Sequence, residues 1–344
     1  MAKPSDSTNL IDAFGRVARD LRVSLTDRCN LRCTYCMPAE GMDWLPNQKV
    51  LTDEEISRLL RIAVEELEVT KIRFTGGEPL LRKGLESIVG ATAKLRTKQG
   101  QRPELTLTTN ALGLHRRAEK LAAQGLDRVN ISLDSLDRDR YAKLARRDRL
   151  PDVLAGIEAA AAAGLTPVKI NAVIMPKTNE VDILPLARFA LSKGHQLRFI
   201  EQMPLGPREA WKREQLVTQQ EILDILASEL ELSPAEEPRG AAPAQLWHAT
   251  TKDGAASGEI GVIASVTAPF CGACDRTRLT ADGQMRNCLF ARGETDLRGP
   301  MREGATDEEL ADIWRGGQWI KRAGHGIGDP DFEQPARTMS AIGG

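Results

Sequence analysis

From residue 21 to residue 201, short runs of β-forming residues alternate with stretches of helical periodicity, and this alternation constrains the fold more than any other feature. Such alternation is typical of a parallel sheet built from βα units. Six strands are predicted, over residues 21–25, 71–75, 105–109, 128–133, 168–173 and 197–201. Six units with right-handed crossovers form either an open doubly wound sheet or an incomplete barrel, and the pattern alone does not distinguish these. In both, ligands bind at the carboxyl ends of the strands.

The segments between these strands carry helix signals. Thr52 and Glu55 have the spacing of a capping box, and a single apolar stripe follows them. Further helices are predicted near 84–97, 113–123, 151–163 and 181–193.

The composition changes between residues 215 and 245, where we place a boundary. A second capping box at Thr218 starts a helix, and a Pro/Ala/Glu-rich stretch at 233–244 predicts an exposed loop. Beyond it, antiparallel strands are predicted over 246–251 and 258–266, with a hairpin at Asp282-Gly283 and a late helix from Thr306.

The charge balance excludes two classes of partner. Lys and Arg total 47 against 48 Asp and Glu, so no chain-wide field would gather nucleic acid or an anionic membrane.

A length of 344 residues allows about two domains. Because we find neither an apolar run long enough to span a bilayer nor an apolar block near the polar start, we expect a cytoplasmic protein.

The six cysteines fall into two groups of three. The first trio, Cys29, Cys33 and Cys36, follows the first predicted strand directly, so it lies in a loop at the ligand-binding edge. A 4Fe-4S cluster takes four thiolates when coordinatively complete, so three leave one iron open to a small molecule. A structural zinc site is the alternative, but it needs a fourth ligand, and no histidine lies in this loop.

This C-x3-C-x2-C spacing, with Tyr35 before the third cysteine, resembles the signature of the radical S-adenosylmethionine (SAM) superfamily. A second element agrees with it: Gly76, Gly77 and Glu78 precede a proline directly after the second strand. Two glycines permit close approach to the backbone, and Glu78 can accept a hydrogen bond from an ammonium group. The resemblance implies that SAM chelates the open iron, and that one-electron cleavage gives methionine and a 5'-deoxyadenosyl radical.

The second trio is Cys271, Cys274 and Cys288, whose spacing alone fits half a zinc ribbon equally well. Its neighbours Arg276 and Arg278 point the same way in an extended segment, and guanidinium forks suit phosphate oxygens.

Five polar residues from five different predicted strands add to this anion site. Charged side chains on central parallel strands are costly unless they face a ligand. These residues are Arg22, Arg73, Thr108, Lys169 and Arg198.

From about Arg19 to the last residue, the chain resembles the GTP 3',8-cyclase family, which performs the first step of molybdenum cofactor biosynthesis. The resemblance rests on TDRCNLRCTYCMP, IRFTGGEPLLR, VNISLDSL, RFIEQMP, FCGACDRTRLTADGQMRNCL and the terminal MSAIGG. It implies an α/β fold, an incomplete (β/α)6 barrel of the TIM type whose open side a C-terminal antiparallel β/α region covers. The expected divisions are a tail over 1–18, the radical SAM partial barrel over 19–215 and the C-terminal region over 216–344.

The same resemblance implies the site. Two 4Fe-4S clusters and SAM are the cofactors, and Cys271, Cys274 and Cys288 hold the second cluster, whose free iron meets guanine. The expected SAM contacts are Tyr35, Gly76, Gly77, Glu78, Ser132 and Met203. The expected GTP contacts are Arg22, Arg73, Thr108, Lys169, Arg198, Arg276, Thr277 and Arg278. The first trio, Arg276 and Arg278 are expected to be catalytic, and the tail, Gly343-Gly344, is expected to reach into the site.

The implied partners are GTP, an electron donor, the next enzyme of the pathway (cyclic pyranopterin monophosphate synthase) and a second copy in a homodimer. One position departs from the family, because Ala111 stands where glycine is usual, which indicates a positive-φ turn beside Thr108. Two alternatives stay open: a radical SAM enzyme with an auxiliary cluster that modifies a peptide or other substrate, and a zinc-stabilised nucleotide-binding module without catalysis.

Overall fold

A computed structural model describes residues 9–207 and 211–343. Over these residues one sheet of twelve strands runs in the order β12-β11-β10-β1-β2-β3-β4-β5-β6-β9-β8-β7. The six predicted parallel strands are β1 (Asp20–Ser24), β2 (Lys71–Thr75), β3 (Glu104–Thr109), β4 (Arg128–Ser132), β5 (Lys169–Ile174) and β6 (Gln196–Glu201). The C-terminal strands are β7 (Leu230–Pro234), β8 (Gln245–Thr251), β9 (Ser257–Ile263), β10 (Arg276–Leu279), β11 (Gln284–Arg286) and β12 (Thr295–Asp296).

The helices confirm the capping-box predictions. Thr52, Thr218 and Thr306 each accept a hydrogen bond from the backbone amide three residues later, and the glutamate there bonds back. The described helices are α1 (Asp53–Arg61), α2 (Leu85–Ala93), α3 (Ala118–Ala123), α4 (Arg138–Ala145), α5 (Leu150–Ala162), α6 (Ile183–Ser192), α7 (Gln219–Ala227), α8 (Arg298–Arg302), α9 (Asp307–Trp319) and α10 (Met339–Ile342). Among the described helices, none combines the length and apolar character needed to cross a bilayer.

The two faces of the parallel strands differ in polarity, and this difference positions the site. Leu21, Val23, Ile72 and Phe74 are completely buried in the apolar core, as are their counterparts on β3–β6. The alternate residues on the same strands point to the opposite face, and most of them are polar, with Val173 and Ile200 as exceptions. One face is therefore the core of the fold, and the other can hold a polar ligand.

The C-terminal strands confirm the predicted antiparallel pairing of β8 with β9 and the hairpin at Asp282-Gly283, and two of these strands also join the central sheet. β10 pairs in parallel with β1, and β9 pairs in parallel with β6, so both continue the central sheet. Antiparallel pairing begins only farther out, between β7, β8 and β9 and between β10, β11 and β12. The reason is physical: β1 and β6 have edges whose unpaired backbone groups need partners.

Candidate active site

Two adjoining cavities lie on the polar face of the sheet. The larger has a volume of about 240 Å³ and the smaller about 140 Å³. They share five lining residues, namely Tyr35, Thr108, Ser132, Asp134 and Met339. The first cysteine trio lines the smaller cavity and the second trio lines the larger, so we refer to the two cavities together as the chamber.

The first trio lies in the loop after β1, as predicted. The backbone amides of Cys36 and Met37 donate to the carbonyl of Cys33, which folds the loop into a turn. Two further amides of this loop donate to carbonyls at the end of α4 and anchor it there. All six cysteines are free of disulfide bonds, so each thiol is available as a ligand.

Burial dominates the electrostatics of the first trio. It raises the pKa of Cys29 to about 11 and of Cys36 to about 12, and the pKa of Cys33 also rises well above its ordinary value. Nearby negative groups, including Glu78 and Asp134, add to these increases. A bound cation would therefore have to supply the charge that stabilises thiolates here.

The Gly76-Gly77-Glu78 segment packs against the loop that carries the first trio. A Cβ at Gly76 would lie 2.5 Å from the carbonyl oxygen of Thr26, and one at Gly77 would lie 2.3 Å from that of Arg28. The glycines therefore serve contact between these two backbone segments. Glu78 accepts hydrogen bonds from the Leu80 and Asn110 amides and from the Thr109 hydroxyl, and burial raises its pKa to about 7.

Tyr35 and Asp134 join the two cavities. The Tyr35 hydroxyl donates to Asp134 Oδ2 at 2.8 Å, and the Val173 amide donates to Oδ1. Burial raises the pKa of Asp134 to about 6. Ser132 also lines both cavities, whereas Met203 lines only the larger.

The second trio occupies two loops around the β10–β11 hairpin. Cys271 and Cys274 lie in the turn before β10, and Cys288 follows β11. Burial raises the pKa of Cys271, whereas at Cys274 the positive charges of Lys321 and Arg276 outweigh burial and lower the pKa.

His325 also lines the larger cavity, yet both its ring nitrogens are engaged. Nδ1 accepts from the Ile327 amide at 3.1 Å, and Nε2 lies 2.9 Å from the Ser265 carbonyl oxygen, to which it donates in this tautomer. His325 is therefore not poised as a fourth ligand to the second trio. Within residues 9–207 and 211–343, no three His, Cys, Asp or Glu side chains converge as a site for a single metal ion.

Five arginines line the larger cavity, and their charge is poorly compensated. They are Arg22, Arg73, Arg198, Arg276 and Arg278. Arg198, Arg276 and Arg278 are only 5%, 6% and 4% exposed. Except in Arg278, the Nε atom of each is buried without a hydrogen-bond partner.

Burial together with mutual repulsion lowers the pKa of Arg198 to about 9 and of Arg278 to about 10. The carboxylate of Asp20 faces this cluster, and the pKa of Asp20 is lowered because the arginine charges outweigh its burial. The arrangement therefore favours an anion with several negative charges.

Two of the predicted GTP contacts lie elsewhere. Lys169 does not line the cavity; it precedes the lining residue Asn171 by two positions on β5, on the same face. Thr277 lies on the opposite face from its arginine neighbours, fully buried, and accepts a hydrogen bond from Trp314 Nε1 at 3.1 Å. Alternation along β10 turns the Thr277 side chain toward α9, and the contact of Thr277 with the nucleotide stays a prediction.

The C-terminal segment reaches the chamber, where Met339 lines both cavities. The carbonyl of Gly343 accepts from Arg278 Nη1 at 2.6 Å. Gly343 has a φ of +89°, and a Cβ there would lie 2.6 Å from Thr75 Oγ1, so a side chain does not fit. An ion-pair network of Arg337 with Asp282 and Glu294 holds the preceding segment. Gly344 lies outside the described residues.

The chamber and its surroundings also contain residues that sequence reasoning missed. Pro243 lines the larger cavity and the Ala241 carbonyl accepts from Arg276, so the stretch predicted to be an exposed loop forms part of the wall. Asp134, which lines both cavities, and Lys321, which lies outside the chamber behind Cys274, were also missed. An aspartate directly after a predicted strand was a usable signal for Asp134, but nothing in the sequence near Lys321 indicates that it points inward.

The chain matches two family models and several curated proteins. Residues 23–190 match the Radical SAM superfamily and residues 195–327 match Molybdenum Cofactor Synthesis C. The chain is 64% identical to a GTP 3',8-cyclase of Corynebacterium glutamicum (strain R), over 99% of this chain and 91% of the relative. It is 58% identical to a GTP 3',8-cyclase of Mycolicibacterium smegmatis, over 99% of this chain and 93% of the relative.

Among solved structures, Streptococcus suis SuiB bound to S-adenosylmethionine is similar in fold, with a TM-score of 0.59 at 15% identity over 89% of this chain and 67% of that chain. This likeness concerns the radical SAM α/β fold with its largely parallel sheet. The identity over nearly the full length decides the narrower assignment: the chain belongs to the GTP 3',8-cyclase family of the radical SAM superfamily.

Proposed function

We propose that this protein converts GTP to (8S)-3',8-cyclo-7,8-dihydroguanosine 5'-triphosphate, the first step of molybdenum cofactor biosynthesis. The observation that carries the proposal is the arginine cluster between the two trios, whose guanidinium Nε atoms are largely buried and unpartnered. Leaving such donors unpaired costs free energy that an anionic ligand recovers. A triphosphate presents several oxygens to these donors at once.

The donor sets fit the cofactors of this family, which are SAM and two 4Fe-4S clusters. Each trio consists of three free thiols beside a cavity, so each leaves one cluster iron for a small-molecule ligand. Cys29, Cys33 and Cys36 would hold the first cluster, and Cys271, Cys274 and Cys288 the second. The chemistry that the first cluster and SAM supply when bound is one-electron cleavage of SAM to a 5'-deoxyadenosyl radical, the acceptor for the hydrogen atom at ribose C3'.

The chain's own residues bind and orient the reactants. SAM would bind in the smaller cavity, where Glu78 would accept a hydrogen bond from its ammonium group and Tyr35, Gly76, Gly77 and Ser132 line the space, with Met203 in the adjoining cavity. The triphosphate of GTP binds the cationic cluster, with Thr108 beside it. Lys169, two positions before the lining residue Asn171 on β5, contributes a positive charge at longer range. This placement holds ribose between the two trios, so that C3' faces the SAM end and guanine faces the second trio.

In the proposed complex, Arg276 contacts the nucleotide and the second trio, and Arg278 contacts the nucleotide and the C-terminal tail. Arg276 lies 4.6 Å from the centre of the Phe270 ring and 3.7 Å from Cys274 Sγ, which supports a position between the nucleotide and the second trio in the proposed complex. Arg278 links the nucleotide to the tail through the Gly343 carbonyl. We therefore propose that Arg276 and Arg278 are both catalytic residues.

The sheet curves into an incomplete (β/α)6 barrel, and the C-terminal region covers its open side. Support comes from the larger cavity, which is lined by residues of β1 to β6 together with β9 and β10; a flat sheet could not bring these together. The divisions at residues 19–215 and 216–344 follow this arrangement. An electron donor, the next enzyme of the pathway and a second copy of the chain are the proposed partners.

The experiment is anaerobic turnover of reconstituted protein with dithionite, SAM and GTP. We expect 5'-deoxyadenosine formation to depend on GTP, a cyclised nucleotide to accumulate, and about eight irons per chain. ATP in place of GTP is the matched control and should give no cyclised product. Equal 5'-deoxyadenosine formation with and without GTP would contradict GTP as the substrate and favour the alternative of a peptide-modifying enzyme. Two zinc ions per chain in the metal analysis would contradict catalysis altogether.

A further inference from the structure

The segment that follows α9 has an inverted burial pattern. Ile320, an apolar residue, is 71% exposed, whereas its neighbour Lys321 is only 4% exposed. Arg322, Ala323 and Gly324 are again exposed. Burying a lysine costs far more than burying an isoleucine, so a specific interaction must hold the Lys321 side chain inside.

The Lys321 ammonium group has three acceptors. Its Nζ lies 2.9 Å from the Arg276 carbonyl oxygen, 3.2 Å from the Cys274 carbonyl oxygen and 3.4 Å from Cys274 Sγ. An ammonium group has three N–H donors, so all of them are used. In the described part of the chain, Lys321 forms no ion pair with an aspartate or glutamate.

The sulfur of Cys274 is therefore the anionic partner that this buried cation has. Lys321 does not line the chamber, so it would not touch the nucleotide.

We propose that Lys321 is a positioning residue for the second cluster, and that its hydrogen bond to Cys274 Sγ raises the reduction potential of that cluster. The inference rests on the proposed function, since it requires a second 4Fe-4S cluster. Hydrogen bonds to cluster sulfurs and nearby positive charge stabilise the more negative, reduced state, and so raise the potential.

The experiment is a redox titration of the second cluster, followed by electron paramagnetic resonance. It uses full-length protein in which Cys29, Cys33 and Cys36 are alanine, so that only the second cluster contributes. At the potential where this parent is half reduced, we expect the added change Lys321→Met to leave about a tenth of the cluster reduced, the tenfold effect of one charge-assisted hydrogen bond. The g values should shift as well.

Arg16, in the segment before β1, offers a matched control because it contacts the loop that carries Cys271. It donates to the Cys271 carbonyl oxygen at 2.6 Å and to two carbonyls of the segment after Lys321, but its hydrogen bonds include none to a sulfur. Arg16→Gln should therefore loosen the same loop but lower the potential by clearly less than Lys321→Met does, because it removes a more distant charge and no hydrogen bond to sulfur. A potential that moves equally in Lys321→Met and Arg16→Gln would overturn the proposal in favour of a structural role.

Lys321→Arg and Lys321→Gln keep the proposal testable if Lys321→Met does not fold or does not hold iron. Lys321→Arg preserves the positive charge and should titrate close to the parent, whereas Lys321→Gln should be harder to reduce. Equal potentials in the two would overturn the proposal. If the unsubstituted protein holds only about four irons per chain, the proposed function fails and this inference fails with it; about eight irons with an unchanged potential in the Lys321 variants refutes this inference alone.

Discussion

The two ends of the chamber present similar trios of thiols in opposite electrostatic surroundings. The first trio is half-buried beside Glu78 and Asp134, and its thiols have raised pKa values. The second lies beside Arg276 and Lys321, and the pKa of Cys274 is lowered. The difference teaches that a shared ligand count does not make two sites equivalent: the carboxylates at one end suit the cationic SAM, and the cations at the other end suit the anionic nucleotide.

Removing one thiol from each end is the strongest way to separate the two roles. We expect Cys33→Ser and Cys274→Ser each to reduce the iron content from about eight to about four per chain. Cys33→Ser should abolish SAM cleavage, whereas Cys274→Ser should retain cleavage and lose the cyclised nucleotide. The measurements are iron analysis and quantification of 5'-deoxyadenosine. Loss of cleavage in both variants would mean that the ends are not functionally distinct.

The cationic end can be weakened without removing a cluster. Arg22→Met removes a guanidinium whose Nε is buried and unpartnered, so the melting temperature without GTP should not fall. The KM for GTP should rise about 10- to 100-fold, the equivalent of one or two charge-assisted hydrogen bonds. Arg138→Met is the control, since it removes only the exposed ion pair between Arg138, on α4, and Asp148. An unchanged KM in Arg22→Met would remove this arginine from the triphosphate site.

The pH dependence of GTP binding tests the role of Lys169, which lies on β5 just outside the larger cavity. Burial, followed by the charges of Arg198, Arg128 and Arg73, lowers the pKa of Lys169 to about 7. Lys169 is therefore charged below pH 7 and loses its proton as the pH rises through that value, while a bound triphosphate favours the charged form. GTP affinity should fall as the pH rises, and binding at pH 8 should take up about one proton that Lys169→Met does not take up.

Calorimetry in two buffers with different ionisation enthalpies measures this uptake. Lys71→Met, at the exposed start of β2, is the control and should behave like the unsubstituted protein. Identical uptake in Lys169→Met and the unsubstituted protein would show that Lys169 does not sense the nucleotide.

The smallest expected effect concerns Thr277, between Arg276 and Arg278. Thr277→Val removes the acceptor of the Trp314 indole N–H, so we expect the free energy of unfolding to fall by about 1–3 kcal/mol in urea denaturation. The KM for GTP should stay the same, because the side chain lies on the far face of β10. A raised KM with unchanged stability would support the contact that the sequence predicted.

The central strands were predictable because their apolar residues alternate with few exceptions. Each of the six was placed within one residue at either end, and the capping boxes at Thr52, Thr218 and Thr306 marked three helix starts. Ala111 adopts a φ of +64°, the positive-φ turn that the glycine usual at this position in the family indicated. These features depend on neighbours in sequence, which is why local patterns reveal them.

Other elements were not predictable from local patterns. Helix α4 is rich in charged residues, and β7 pairs only with β8, so neither has a strong periodic signal of its own. The direction of Thr277, the inward course of the loop around Pro243 and the burial of Lys321 depend on which distant segment lies opposite. Alternation along a strand places a residue on one of two faces, but it does not say which face becomes the site.

The sequence by itself determined the chemistry that this protein can carry, because two trios of cysteines and a set of cations on neighbouring strands are readable as residue types at fixed spacings. Only the tertiary structure decided that the trios lie at opposite ends of one chamber, that the C-terminal segment reaches it and that Lys321 points at a sulfur. The physical reason is that ligand spacing is a local property of the chain. Burial and charge compensation, in contrast, belong to pairs of residues that the fold brings together.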